Sequence, residues 1–310
     1  MQHRVTFTVN ACITDAPFLE KTLRHVFRSL DFHFCERLIA YDPGNPGGKY
    51  RDRGRGDRRQ LLAIFERLIA DGLIDRVDTV PWDEESQKQV TRRFFGHEDI
   101  SPTDMDGAPI YQYLYAIDRC IGDYVFHMDS DMLFHTGASK SWLTDGIEML
   151  ESEPQVVFAT CGSPPKARTW LERVLKRPLR KRMPNGWYAA DSFSTRYFLM
   201  DTKRFKDQLI PLVPARRGEM LEKTIFNTLI VRGLERRVNS CVDNWAIHPR
   251  THDENYVRYL DELIWAVEHG VYPFVRPGFC WNLHTEGREI QPWLEAIAVH
   301  KRRMRDGDPH

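Results

Sequence analysis

Over roughly its first 130 residues the chain alternates apolar or β-branched runs with segments of helical period, and this restricts it to an α/β architecture. Val5 to Ala11 forms a strand pattern, and Phe18, Leu19, Leu23, Val26, Phe27 and Leu30 then recur at helical spacing. Arg37 to Tyr41 is a continuously apolar second strand of the kind buried in a parallel sheet. It closes on Asp42 and enters a Pro- and Gly-rich loop, Pro43 to Gly48. A helix over Arg58 to Asp71 leads to a third strand at Arg76 to Val80. Pro81 to Pro109 reads as polar and irregular, Tyr111 to Gly122 as a helix, and Tyr124 to Met128 as a further strand. An open sheet built this way presents ligands at the carboxyl ends of its strands.

The second half is less regular. Trp142 to Glu151 reads as a helix, Gln155 to Thr160 and Phe198 to Met200 as strands, and Met220 to Arg232 and Asp253 to Glu268 as helices. No linker interrupts the 310 residues. The expectation is therefore one composite domain, with a nucleotide-binding half over 1–135, an acceptor half over 136–300 and a mobile charged tail over 301–310. A chain of this length buries enough surface to need no staples.

Lys+Arg and Asp+Glu number 44 each, so no basic excess points to nucleic acid. The six cysteines lie far apart, with no pair at CxxC spacing. Reduced thiols in a cytoplasmic protein are the expectation, rather than a zinc cluster. Met1 to Ile13 has no apolar core of signal-peptide length, and no uninterrupted apolar run reaches about 18 residues.

The chemistry concentrates in Gly122-Asp123-Tyr124-Val125-Phe126-His127-Met128-Asp129-Ser130-Asp131. Two carboxylates two residues apart follow an apolar strand, where unpaired burial would be costly. A divalent cation removes their repulsion, and oxygen ligands suit magnesium or manganese. Such an ion can neutralise the diphosphate of a nucleotide as it departs.

The strand-helix-strand entry, the acidic close of the second strand at Asp42 and the run ending Asp129-Ser130-Asp131 together resemble the GT-A glycosyltransferases, family 2 type especially. The resemblance is best over residues 4 to 135. It implies an open, mostly parallel sheet flanked by helices, a nucleotide-diphosphate sugar as donor (a UDP-sugar favoured), and transfer of the sugar to a hydroxyl acceptor, as in hexosyltransferases. By the same resemblance Asp131 binds the metal and Asp129 the metal or the ribose, with Ser130 between them beside the donor. Asp42 contacts base or ribose, and Gln112 lies near the donor. Ala11 stands at the first-strand end, where Ala11-Cys12-Ile13-Thr14 departs from the usual base-contacting turn. The helix ending at Gly233 resembles the one whose start carries the catalytic base. Glu222 is then the leading base, Glu219 the reserve, and Asp191, beside Tyr188, a third candidate.

Two histidines compete as a late metal ligand. Cys280 to Gly287, followed by Pro292-Trp293, is similar to the His-x-x-Gly…Pro-Trp element of some metal-dependent retaining glycosyltransferases, which favours His284 with Trp281 and Trp293 as walls. His248 falls where family 2 members carry a late histidine. Pro249 argues against a helical metal pair with His252. Lys166 to Arg182 holds eight Lys/Arg against one acid with an apolar stripe, a surface for an anionic or lipid-linked acceptor or for peripheral membrane contact. Two other classes use similar motifs. A haloacid-dehalogenase-type phosphatase carries its Asp-x-Asp on the first strand, not after three strands. A sugar nucleotidyltransferase needs a Gly-rich phosphate loop, yet Asn10 to Phe18 contains no glycine.

Overall fold

Parallel pairing places β1 (Val5–Cys12) between β2 (Glu36–Asp42), itself followed by β3 (Arg76–Thr79), and β4 (Tyr124–Asp129). The protein is seen in a computed structural model that describes residues 3–44, 56–137, 141–164, 186–239, 241, 243–273 and 282–306. After β4 a short turn leads to β5 (Leu133–Thr136), and the chain goes on through β6 (Val156–Thr160), β7 (Trp187–Ala189), β8 (Tyr197–Asp201) and β9 (Glu235–Asn239). The main sheet runs β3-β2-β1-β4-β8-β6-β9-β7, with β8 antiparallel to β4 and β6 and parallel pairing from β3 through to β4. This is the open, mostly parallel, helix-flanked α/β sheet that a GT-A-type fold requires.

The period of two along each strand divides the side chains between two cores. On β4, Tyr124, Phe126 and Met128 join the core under α1 (Leu19–Leu30), α2 (Arg58–Ala70) and α5 (Trp142–Ser152). Val125 joins the opposite core, beneath α3 (Glu84–Phe95), α4 (Tyr111–Arg119) and α6 (Leu221–Val231). A third core surrounds a small sheet in which β10 (Asn244–Pro249) pairs antiparallel with β5 and parallel with β11 (Asn282–Leu283). Over it pack α7 (Glu254–Arg258), α8 (Leu260–Glu268) and α9 (Gln291–Arg305).

Local chemistry sets the ends of these elements. Asp57 caps α2 by accepting the amides of Arg59 (2.8 Å) and Gln60 (3.4 Å). Gly56, just before that cap, crosses the end of β1 so closely that a Cβ there would stand 1.6 Å from the Ile13 carbonyl oxygen. Only glycine fits such an approach.

Two expectations change. The stretch Pro81 to Pro109 is not wholly irregular, because Glu84–Phe95 is helical. Asp83 caps that helix at Ser86 N (2.9 Å), Gly96 ends it at φ 76°, and Val90, Phe94 and Phe95 give it a buried face. Residues 301–305 of the charged tail belong to helix α9. The segment Lys166 to Arg182, with its proposed membrane contact, lies outside the described residues, as does Trp281. No helix among the described residues is long and apolar enough to cross a membrane.

Candidate active site

A cleft of about 520 Å³ opens where β1, β2 and β4 end, and α4, α6 and the segment after β10 close its other sides. Ala11, Asp42, Gln112, Asp129, Ser130, Asp131, Glu222 and His248 all line it. Glu219, Asp191 and His284 do not.

At one end, Asp42 Oδ1 accepts the Gly44 amide and the Trp82 indole N–H, each at 2.8 Å. Trp82 also lines the cleft, with its ring edge-on to Tyr111, so a flat aromatic surface lies beside a carboxylate. Gln112 is buried and donates to the carbonyls of Ala40 (3.0 Å) and Ala11 (3.3 Å). It therefore ties β1 to β2 at their carboxyl ends. Neither polar atom of the buried Asn10 amide has a hydrogen-bond partner among the described residues. Such a group is costly unless something entering the cleft satisfies it.

The centre is acidic. Asp129 Oδ1 accepts the Tyr113 hydroxyl at 2.5 Å, and burial beside that carboxylate pushes the phenol well above its ordinary pKa. Asp131 Oδ2 stands 2.8 Å from His252 Nε2. Burial alone would raise the Asp131 carboxyl, but the His252 hydrogen bond and the nearby positive charge of Arg196 help to hold it below the carboxylate range. Asp15, buried on the turn after β1, receives the Cys12 amide at 2.8 Å and is pushed up to about 6 by desolvation. The His252 ring packs against Phe18, 4.4 Å between centroids, and Asp253 caps α7 at Tyr256 N (2.7 Å), which fixes the turn that carries the histidine.

His248 comes from the end of β10. Its Nδ1 lies 2.7 Å from the Pro249 carbonyl oxygen, and its Nε2 accepts from the Arg196 guanidinium. Burial lowers its pKa, which favours neutral imidazole.

Across the cleft, Glu222 sits in the first turn of α6. Its Oε1 accepts the Thr195 amide (3.1 Å), the Thr195 hydroxyl (3.2 Å) and the Ser194 hydroxyl (3.4 Å). Those bonds fix one carboxylate oxygen and leave the other for chemistry. Glu219 instead accepts from Ala215 N (2.8 Å) and Thr224 Oγ1 (3.3 Å), a local bracing role. Asp191 is exposed, and His284 stands 3.3 Å from Glu289. Trp293 is buried in the third core.

Among the described residues, no three His, Cys, Asp or Glu side chains converge to hold a metal ion unaided. The donor set nevertheless fits a divalent cation that draws its other ligands from a diphosphate: a charged strand-end carboxylate, Asp131, with neutral imidazole nearby. Tyr113, Trp82 and Asp15 escaped the sequence reading. His252 lines the cleft with His248 because a strand end and a turn carry them, so the absence of a helix does not separate the two.

No family model matches the sequence, and no curated protein matches it significantly. Among solved structures it is similar to glucosyl-3-phosphoglycerate synthase from Mycobacterium tuberculosis in complex with Mn2+, UDP and glucosyl-3-phosphoglycerate. Identity there is 13%, over 86% of this chain and 77% of that one, at a TM-score of 0.40. S. aureus TarS 1–349 is 12% identical over 96% and 73%, with TM-score 0.43. GalNAc-T7 with UDP, GalNAc and Mn2+ is 9% identical at TM-score 0.49, and this chain, 96% covered, spans 48% of it. These likenesses are distant, and none assigns a role to a residue of the cleft.

Proposed function

We propose that the protein transfers a sugar from a nucleotide-diphosphate sugar, a UDP-sugar in preference, to a hydroxyl acceptor with the help of a divalent cation. One observation carries this: the Asp129–Asp131 pair at the end of β4 and Glu222 at the start of α6 share a single cleft. Asp42 and Trp82, at another part of that cleft, suit a base and ribose.

Asp131, with His248 or His252, would hold manganese or magnesium, and the bound ion would neutralise the departing diphosphate. Tyr113 keeps Asp129 oriented through its hydroxyl. Glu222 Oε2 takes the proton of the acceptor hydroxyl as the acceptor oxygen bonds to the sugar's anomeric carbon. The bond from that carbon to the diphosphate breaks, and its electron pair leaves with the nucleotide. A base positioned apart from the diphosphate groups supports a single displacement with inversion. The retaining alternative relied on His284, which is not among the cleft-lining residues. Where a nucleotidyltransferase would carry a glycine-rich loop, β1 runs into the short turn Ile13–Asp15.

A thermal-shift panel of nucleoside diphosphates with and without Mn2+ tests the proposal. Stabilisation by one nucleotide that depends on the metal is expected. No stabilisation by any nucleotide would defeat it.

A further inference from the structure

Arg196 lies immediately before β8, and its carbonyl accepts the Asp129 amide at 2.6 Å, so its backbone is fixed beside the acidic pair. The side chain is exposed and reaches the imidazole of His248, whose Nε2 accepts from the guanidinium. A carbonyl oxygen only accepts, so the 2.7 Å contact to Pro249 O places the ring proton on Nδ1 and leaves the Nε2 lone pair bare. An imidazole with Nδ1–H tied to a backbone carbonyl is in the form that metal ligands take. Its one lone pair is already in use. The guanidinium also places positive charge near Asp131, where the divalent cation of the proposed function would bring it.

We propose that Arg196 is a placeholder: it occupies the His248 lone pair until a nucleoside diphosphate draws the guanidinium away, making metal binding contingent on the nucleotide. The inference rests on the metal-dependent transferase reading above. Phosphate oxygens accept from a guanidinium fork in two parallel charge-assisted bonds, whereas imidazole offers a single neutral acceptor. A diphosphate in the cleft is therefore the stronger partner. Because Arg196 is exposed, its side chain can turn without disturbing the core. The reciprocal consequence is that metal favours nucleotide by the same factor as nucleotide favours metal.

The test is titration of the full chain with Mn2+ alone and with Mn2+ at saturating UDP, followed by calorimetry and by the loss of the free-Mn2+ paramagnetic signal. In the wild type, UDP should tighten Mn2+ binding by about tenfold or more, within the usual range of coupling between sites. Arg196→Gln should tighten Mn2+ binding in the absence of nucleotide and shrink the UDP effect. That gain should vanish in Arg196→Gln/His248→Ala, since the lone pair being released is gone. Unchanged or weaker nucleotide-free Mn2+ binding in Arg196→Gln overturns the inference, and so does a gain that survives undiminished without His248. The Arg196→Gln titration alone can defeat it, so the test does not depend on how well the double variant folds. Wild type that binds neither Mn2+ nor Mn2+ with UDP removes the proposed function and this inference together, which separates the two failures.

Discussion

His252 Nε2 and Asp131 Oδ2 meet at 2.8 Å, joining the end of β4 to the turn after β10. Burial is the larger single influence, but that contact, together with nearby positive charge, offsets it and helps keep Asp131 ionised. Asp131→Asn is therefore expected to lower affinity for UDP in Mn2+ by about 100-fold or more, since a neutral amide replaces the charged ligand. Calorimetry on a variant with unchanged circular dichroism measures this. Stripping metal from the wild type with a chelator should give the same weak affinity.

Glu222→Gln retains acceptors for Thr195 and Ser194 but not the base. Turnover should fall by about a hundredfold or more, as loss of general-base catalysis does, while UDP affinity stays close to wild type. Steady-state rates and calorimetry on the same preparation separate the two effects. Asp191→Asn should leave turnover near wild type.

Tyr113→Phe removes the hydroxyl held by Asp129 Oδ1 and little else. A hydrogen bond to a charged group contributes about 1.5–3 kcal/mol, so Mn2+-dependent UDP affinity should drop by about tenfold or more if the bond is what orients Asp129. A binding isotherm unchanged from wild type would show that Asp129 needs no such support.

His25, fully buried in α1, accepts the Phe134 amide at Nε2 (3.0 Å) and meets Glu268 Oε1 through Nδ1 (2.9 Å). Burial, opposed by Glu268, lowers its pKa. With the folded value depressed, the unfolded chain binds the proton more readily, so stability falls as pH drops below about 6.5, the unfolded value. His25→Gln keeps an acceptor for Phe134 and has no such titration. The difference in melting temperature between wild type and variant should shrink as pH falls from about 7.5 to about 5.5.

Asp129, Asp131 and Asp42 were legible because each follows an apolar run whose only sensible home is a buried parallel strand. Glu222 was legible through the helix it begins. Helix α3 was hidden because polar residues dominate Glu84–Phe95, and its apolar face appears only when Phe94 and Phe95 find the opposite core. The four-residue β5 and its partner β10 carry little local signal, since each is a strand by virtue of the other. His248 and His252 depend on that pairing, so their place in the cleft could not be read from their neighbours in sequence. Trp82 reaches it from outside any recognised motif.

The β5–β10 ladder has a consequence for how this chain can vary. Its pairs run from Leu133↔Ile247 to Thr136↔Asn244, and the first of them stands two residues after Asp131 on one strand and one residue before His248 on the other. The ladder acts as a ruler: it measures the separation of carboxylate from imidazole in strand pairs, not in chain length. A single residue inserted between Asp131 and Leu133 would shift the ruler's zero, whereas a register slip of one pair would turn β10's buried side chains to the wrong face. Loop insertions between Thr136 and Asn244 that spare both sheets would leave the mark where it is. Homologous chains of very different length should therefore keep the spacing from the second aspartate to β5 and vary freely in the loops beyond it.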